Sequence, residues 1–199
     1  MRLVVIGTGD VGGAVADALA AKHEVLRASR NAEDPAMRMD ISDPESIRSF
    51  YERAGKLDGV VCCAGSGAFG ALTTLKDEDF DFTLRNKVMG QVNLVRFGHP
   101  HVSDGGVFVL TSGIFSTRPP PGVPALAMAN GAIESFVRAA SQDLPRGQRL
   151  NVVSPPFLHE TATRMGMAAA GQLSAADNAL AYVRLVEGTA NGEIASFGG

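Results

Sequence analysis

Residues 3 to 16, LVVIGTGDVGGAVA, constrain the fold more than any other stretch of this chain. Four apolar residues run into a turn carrying Gly7, Gly9 and Gly12, and a helical period begins at once. Four apolar residues suit a buried strand and are too few for a helix. Gly7 permits the tight turn, Gly9 lets a backbone approach closely and Gly12 lets the helix pack on the strand. Thr8 and Val11 fill the loop between them. A strand feeding a helix in this way opens a βαβ unit, so a parallel sheet is expected.

The rest of the chain repeats the alternation. Strands are predicted at 2–6, 24–29, 36–39, 57–63, 106–111, 150–154 and 193–197, and helices at 11–21, 43–54, 77–97, 124–143 and 175–187. The run RPPPGVP at 118–124 interrupts both kinds of element and reads as a loop. There is no internal repeat or linker-like charge run, and residues 1–199 are read as one α/β domain with a doubly wound, seven-stranded, mostly parallel sheet and helices on both faces. At 199 residues such a domain removes roughly 70% of its unfolded surface from water, enough for one core without disulfides or metals.

Composition narrows the function. A net charge of −3 leaves no basic surplus for a phosphate backbone, which argues against nucleic acid and for a small-molecule partner. The only cysteines, Cys62 and Cys63, are adjacent; they suit neither a disulfide framework nor a thiolate metal site, and read as strand residues of a reducing compartment. The four histidines lack metal-ligand spacing, so no metal is expected. No apolar run reaches membrane-spanning length and none resembles a signal-peptide core, so a cytoplasmic protein is expected.

Ligands of such a sheet sit outside the carboxyl ends of its strands. The first helix start and the glycines before it suit a pyrophosphate, although Asp10 would repel one unless it turns outward. After the second strand, EVLRASRN offers no acid for a ribose hydroxyl; it offers Ser29 and Arg30, and an arginine there suits a 2′-phosphate. NADP(H) is therefore preferred, with NAD(H) as second choice. Asp40 in MDISD either accepts from an adenine amino group or caps a turn.

Taken together, GxGxxG, Asp40 in MDISDP, Ala64-Gly65 in CCAG, a strand ending Thr111-Ser112, the following helix and VVSPPFLHET resemble the short-chain dehydrogenase/reductases. The similarity covers nearly the whole chain. It implies a seven-stranded Rossmann sheet and hydride transfer between NAD(P)H and a carbonyl or alcohol. It also implies a cofactor-binding role for Ala64, Gly65, Pro155 and Thr161, with Pro156 in place of the family's Gly. Ser112 matches the catalytic serine.

The proton chemistry departs from the family pattern. The segment ALAMANGAIESF, 125–136, aligns with the helix that opens on Tyr-x-x-x-Lys, which puts Leu126 at the tyrosine and Asn130 at the lysine. Neither Tyr51 nor Tyr182 lies near this segment in sequence. The family's preceding helix carries an Asn followed three residues later by Gly and thirteen later by Pro; Gly90 and Pro100 both point to Lys87 rather than Asn86. At 100° per residue Lys87 flanks a stripe of Leu84, Val88, Val92 and Val95, with Asn86 opposite. On this alignment lysine and asparagine trade places, and two readings of Lys87 stand: out of water beside a cationic ring it can itself become the acid, or it snorkels from the stripe edge into solvent.

The first reading is thus an NADP(H)-dependent reductase with Ser112, Lys87 and Asn130 at its catalytic centre. The second is a catalytically inactive NADP(H)-binding sensor. An adenosyl-methionine methyltransferase shares the first loop, but AG after strand four and SPP after strand six are not expected there. The segment 156–174 is short for a substrate lid. The resemblance implies a homodimer or homotetramer through the helices at 77–97 and 124–143.

Overall fold

The computed structural model describes residues 1–164, 166 and 171–197. Six strands, β1 (Arg2–Ile6), β2 (Glu24–Ala28), β3 (Leu57–Cys62), β4 (Val102–Thr111), β5 (Arg149–Ser154) and β6 (Ile194–Ser196), form one sheet in the order β2-β1-β3-β4-β5-β6. Every pairing is parallel. The chain reverses its direction of travel across the sheet between β1 and β3, which opens a crevice at their carboxyl ends.

Strand alternation sorts the core. Leu3, Val5, Val61, Val107, Val109 and Val153 point to one face, covered by α1 (Asp10–Ala20) and α7 (Ala175–Glu187). Val4, Ile6, Val60, Phe108, Leu110 and Val152 point to the other, covered by α2 (Pro44–Ala54), α4 (Gly90–Gly98) and α5 (Pro124–Ala140). Two faces of Val, Ile and Leu with no polar alternation are what a sheet buried on both sides requires.

The seven-stranded expectation is corrected to six strands among the described residues. Residues 36–39 form no strand: Pro35 starts a 3₁₀ turn at Pro35–Met37, and only a lone bridge, Ser29 to Arg38, remains of the pairing. Proline gives no amide to a ladder, and it sits where this short strand would begin.

The helix predicted at 77–97 is corrected as well. It comprises α3 (Asp77–Thr83), a six-residue π-helical stretch at Leu84–Met89, and α4. The wider turn shifts the stripe, so that Leu84 is 37% exposed while Thr83, Lys87, Gln91 and Leu94 are buried. A regular 100° wheel cannot anticipate an i→i+5 turn, a device often found where a helix borders a working site. A short α6 (His159–Arg164) follows β5. Part of the stretch 156–174, read as short for a lid, falls at 165 and 167–170, outside the described residues. No helix among the described residues is long and apolar enough to cross a membrane.

Gly12 is where the first turn is least forgiving. A Cβ there would lie 1.8 Å from the Gly7 carbonyl oxygen, whereas at the neighbouring Gly13 it would meet nothing within 4 Å. Gly12→Ala is expected to lower stability in urea unfolding by about 1–3 kcal/mol or more. Gly13→Ala, in a helix interior, should raise it by about 0.5–1 kcal/mol.

Candidate active site

A groove of about 470 Å³ crosses the carboxyl ends of β1, β2 and β3. Its floor is the first loop: Gly7, Thr8, Gly9, Val11 and Gly12. Gly9 caps α1 in extended conformation, and a Cβ built on it projects into open space. A ligand can therefore approach the peptide there, with the free amides of an 11-residue helix behind it. Ser29 and Arg30 line one end together with Asp40. Ala64, Gly65 and Thr161 line the other.

Asp40 takes the turn-capping alternative with one oxygen: its Oδ1 accepts from Ser42 N at 2.9 Å and Ser42 Oγ at 2.7 Å. Asp10 does not confront the groove alone, because Arg164 Nη1 from α6 lies 2.7 Å from its Oδ2. The Asp10 oxygen has no aligned hydrogen bond, so this contact is an ion pair only.

A second cavity of about 250 Å³ adjoins the groove and shares Val11 and Thr161 with it. Pro155 and Pro156 from the end of β5 line it, and its walls are mainly apolar. Phe115 and Phe157 stack across it with ring centroids 6.3 Å apart. The polar side chains on its lining are Lys87, Ser112, Asn130 and Thr161, with Leu126 also on it. The structure thus brings around one cavity the residues that the sequence assigned to the catalytic centre.

Lys87 is 7% exposed, and among the described residues its Nζ donates only to the Ser112 carbonyl oxygen, at 3.3 Å. Burial holds its pKa down from 10.5 to about 8, opposed weakly by the Cys62 thiol. Asn130 is 3% exposed, and its Oδ1 has no hydrogen-bond partner among the described residues. Cys62 and Cys63 are both pushed above the usual thiol range by burial, Cys62 to about 12, which leaves them unreactive as nucleophiles.

Two further residues complete the site. Gln91, fully buried one turn after Lys87, donates from Nε2 to the Thr111 carbonyl and accepts at Oε1 from Thr111 N, both at 2.8 Å. Glu134, 6% exposed on α5, receives at Oε1 the hydroxyls of Ser112 at 2.9 Å, Ser116 at 2.7 Å and Ser154 at 3.1 Å. Sequence reasoning assigned neither a role. The signal was there, since each is a polar residue one turn from a site residue on a buried helix face. Tyr182 is closer than its sequence position suggested, its hydroxyl 2.7 Å from Thr111 Oγ1. It is completely buried on the opposite side of the sheet, with its pKa raised far above the usual value. Arg118 is exposed.

A family model described as Enoyl-(Acyl carrier protein) reductase matches residues 11–197. The chain belongs to the short-chain dehydrogenase/reductase family. Versicolorin reductase 1 of Aspergillus parasiticus is 32% identical over 145 residues, aligning 68% of this chain with 55% of that one. The chain spans about half the length of the fungal reductases it matches. Among solved structures, the protein lin1944 from Listeria innocua is 37% identical with a TM-score of 0.94, covering 100% of both chains. A short-chain dehydrogenase from Burkholderia cenocepacia in complex with NADP is 26% identical with a TM-score of 0.83, covering 98% of this chain and 95% of that one.

The Lys87 environment has a measurable signature. A lysine whose folded pKa lies below its unfolded value carries a penalty that is full below about 8 and relieved as pH rises toward 10.5. Lys87→Met removes the buried charge and is expected to be more stable than wild type at pH 7 by about 2 kcal/mol. That advantage should shrink between pH 8 and 10 in urea unfolding; a constant difference would mean Lys87 is not desolvated.

Proposed function

We propose that this chain, taken as one nucleotide-binding domain over 1–199, is an NADP(H)-dependent oxidoreductase acting on a small carbonyl or alcohol. The observation that carries the reading is a buried ammonium, Lys87, on the lining of an apolar cavity that opens onto a glycine-floored groove. Support comes from relatives named as reductases and from similar folds solved with NADPH or NADP.

In this reading Gly7, Thr8, Gly9, Val11 and Gly12 hold the pyrophosphate, Ser29 and Arg30 the 2′-phosphate, and Asp40 the adenine side. Ala64, Gly65, Pro155 and Thr161 hold the nicotinamide half. When bound, the dinucleotide supplies or accepts the hydride. Lys87 gives the proton to the substrate oxygen in reduction and regains one from water; in oxidation the neutral amine takes it. Asn130 stands where the family has its lysine, on the lining of the same cavity, and Ser112 contacts the hydroxyl of the alcohol. The apolar walls exclude water, which strengthens each of these contacts. The protein is proposed to work in the reducing cytoplasm and to pair through the helices at 77–97 and 124–143, where Phe82 of α3, Met89 of the π-helical stretch and Met128 of α5 are exposed.

Leu126 in the tyrosine position favours a second reading, an NADP(H)-binding sensor without turnover. Fluorescence titration and a carbonyl panel separate the two. NADPH is expected to bind more tightly than NADH, and Arg30→Ala to weaken NADPH about tenfold, the ~1.5 kcal/mol of a charge-assisted contact, with NADH unchanged. Failure of both nucleotides to bind would sink both readings; tight NADPH binding with no turnover of any carbonyl would leave the sensor.

The pH profile tests Lys87 itself. Carbonyl reduction needs the ammonium, so kcat/KM is expected to be level below about pH 8 and to fall tenfold per unit above it. Alcohol oxidation needs the amine and should rise through the same region. Lys87→Met should lose at least a hundredfold in kcat in both directions; turnover that survives removes Lys87 from the mechanism.

A further inference from the structure

The hydroxyl of Ser112 is already committed. It donates to Glu134 Oε1 at 2.9 Å, and no other acceptor for it is found among the described residues. Ser154 also donates to that oxygen, at 3.1 Å. Ser116 has an alternative acceptor in the Gly113 carbonyl, 3.2 Å away. A carboxylate only accepts, so the proton of Ser112 points inward toward α5 and what Ser112 offers the cavity is a lone pair. Asn130 stands on the same lining, with its Oδ1 buried and without a hydrogen-bond partner among the described residues.

We propose that Glu134 sets the polarity of Ser112, making the cavity a site for a ligand that donates: an apolar ring system bearing a hydroxyl. The proposal rests on reading this cavity as the substrate site. Its walls supply the other half of the recognition. Phe69, Phe115, Phe157 and Leu158 surround about 250 Å³, against the ~150 Å³ that accepts benzene, which gives room for about two fused rings. In reduction Lys87 remains the donor to the carbonyl, and Ser112 then accepts from a hydroxyl of the ligand or of the alcohol formed. Glu134 touches neither substrate nor cofactor in this scheme; it is a positioning residue acting through Ser112.

The test is direct binding, which needs no turnover. The probes are 2-naphthol, which has the hydroxyl, and 2-methoxynaphthalene, which has only an acceptor at the same place. Calorimetry on the whole protein, with and without NADPH, is expected to show 2-naphthol binding at least tenfold more tightly to wild type. In Glu134→Gln the amide can donate to Ser112 and turn its proton toward the cavity, so the ratio should fall to within twofold. Ser112→Ala should abolish the preference too, which controls for the bulk of the methyl group and serves if the Gln variant does not fold. Equal binding of the two probes to wild type, binding of neither, or a preference that survives in Ser112→Ala overturns the proposal. The same samples titrated with NADPH keep the two readings apart. A hydroxyl preference without NADPH binding sinks the reductase reading alone, and NADPH binding without the preference sinks this proposal alone.

Discussion

The site hangs on one side-chain amide. Pairing between β3 and β4 ends at Val61 and Val109, so the last turn of β4 runs on with no backbone partner on that side. Gln91 takes the missing place, bonding both the amide and the carbonyl of Thr111 as a neighbouring strand would. Strand and helix are thereby fixed to each other at the residue before Ser112. Lys87, one turn earlier on the same helix, reaches the Ser112 carbonyl only because of that seating. A buried amide satisfied on both its donor and acceptor sides locates a backbone more sharply than apolar contact, which tolerates sliding.

Ser112 also keeps two charges apart. The Lys87 ammonium meets its carbonyl, and the Glu134 carboxylate meets its hydroxyl. A direct buried ion pair between them would neutralise both and fix their protonation. With a serine between them, the lysine stays poorly paired and burial pulls its pKa toward neutrality. The carboxylate instead is held by hydroxyls from the end of β4, the turn after it and the end of β5. One carboxylate therefore ties three segments of the cavity wall to α5.

How much of this was legible in the sequence depends on how local the signal was. The glycine turn and the strand ends follow from short-range rules of period and turn chemistry, whereas the register that puts Leu126 and Asn130 on the cavity came from the resemblance to the family's helix. The third predicted strand failed because Pro35 overrode a brief apolar run. The helix stripe failed because a π-helical stretch has no sequence mark that a fixed angle can read, although Lys87 still falls on its buried side. Gln91 and Glu134 were missed for another reason. Their partners at the strand ends and the turn between lie 18 to 22 residues away, and a polar residue on a buried face reveals a need for partners without naming them.

The pair between Asp10 and Arg164 changes how the groove fills. Arg164 sits on α6, which also supplies Thr161 to the lining of both cavities, and the carboxylate it meets stands at the start of the first helix. The loop thus carries its own anion, and α6 its own cation, before any ligand arrives. An incoming phosphate would displace the first from the second, so that filling the groove is an exchange of anions. Because the arginine side chain is 63% exposed, the contact given up is worth no more than about 1 kcal/mol, and the exchange is nearly free. The helix beside the groove keeps a second anchor through the exchange, because Glu160 accepts from Ala175 N at 2.9 Å and Ala162 is fully buried.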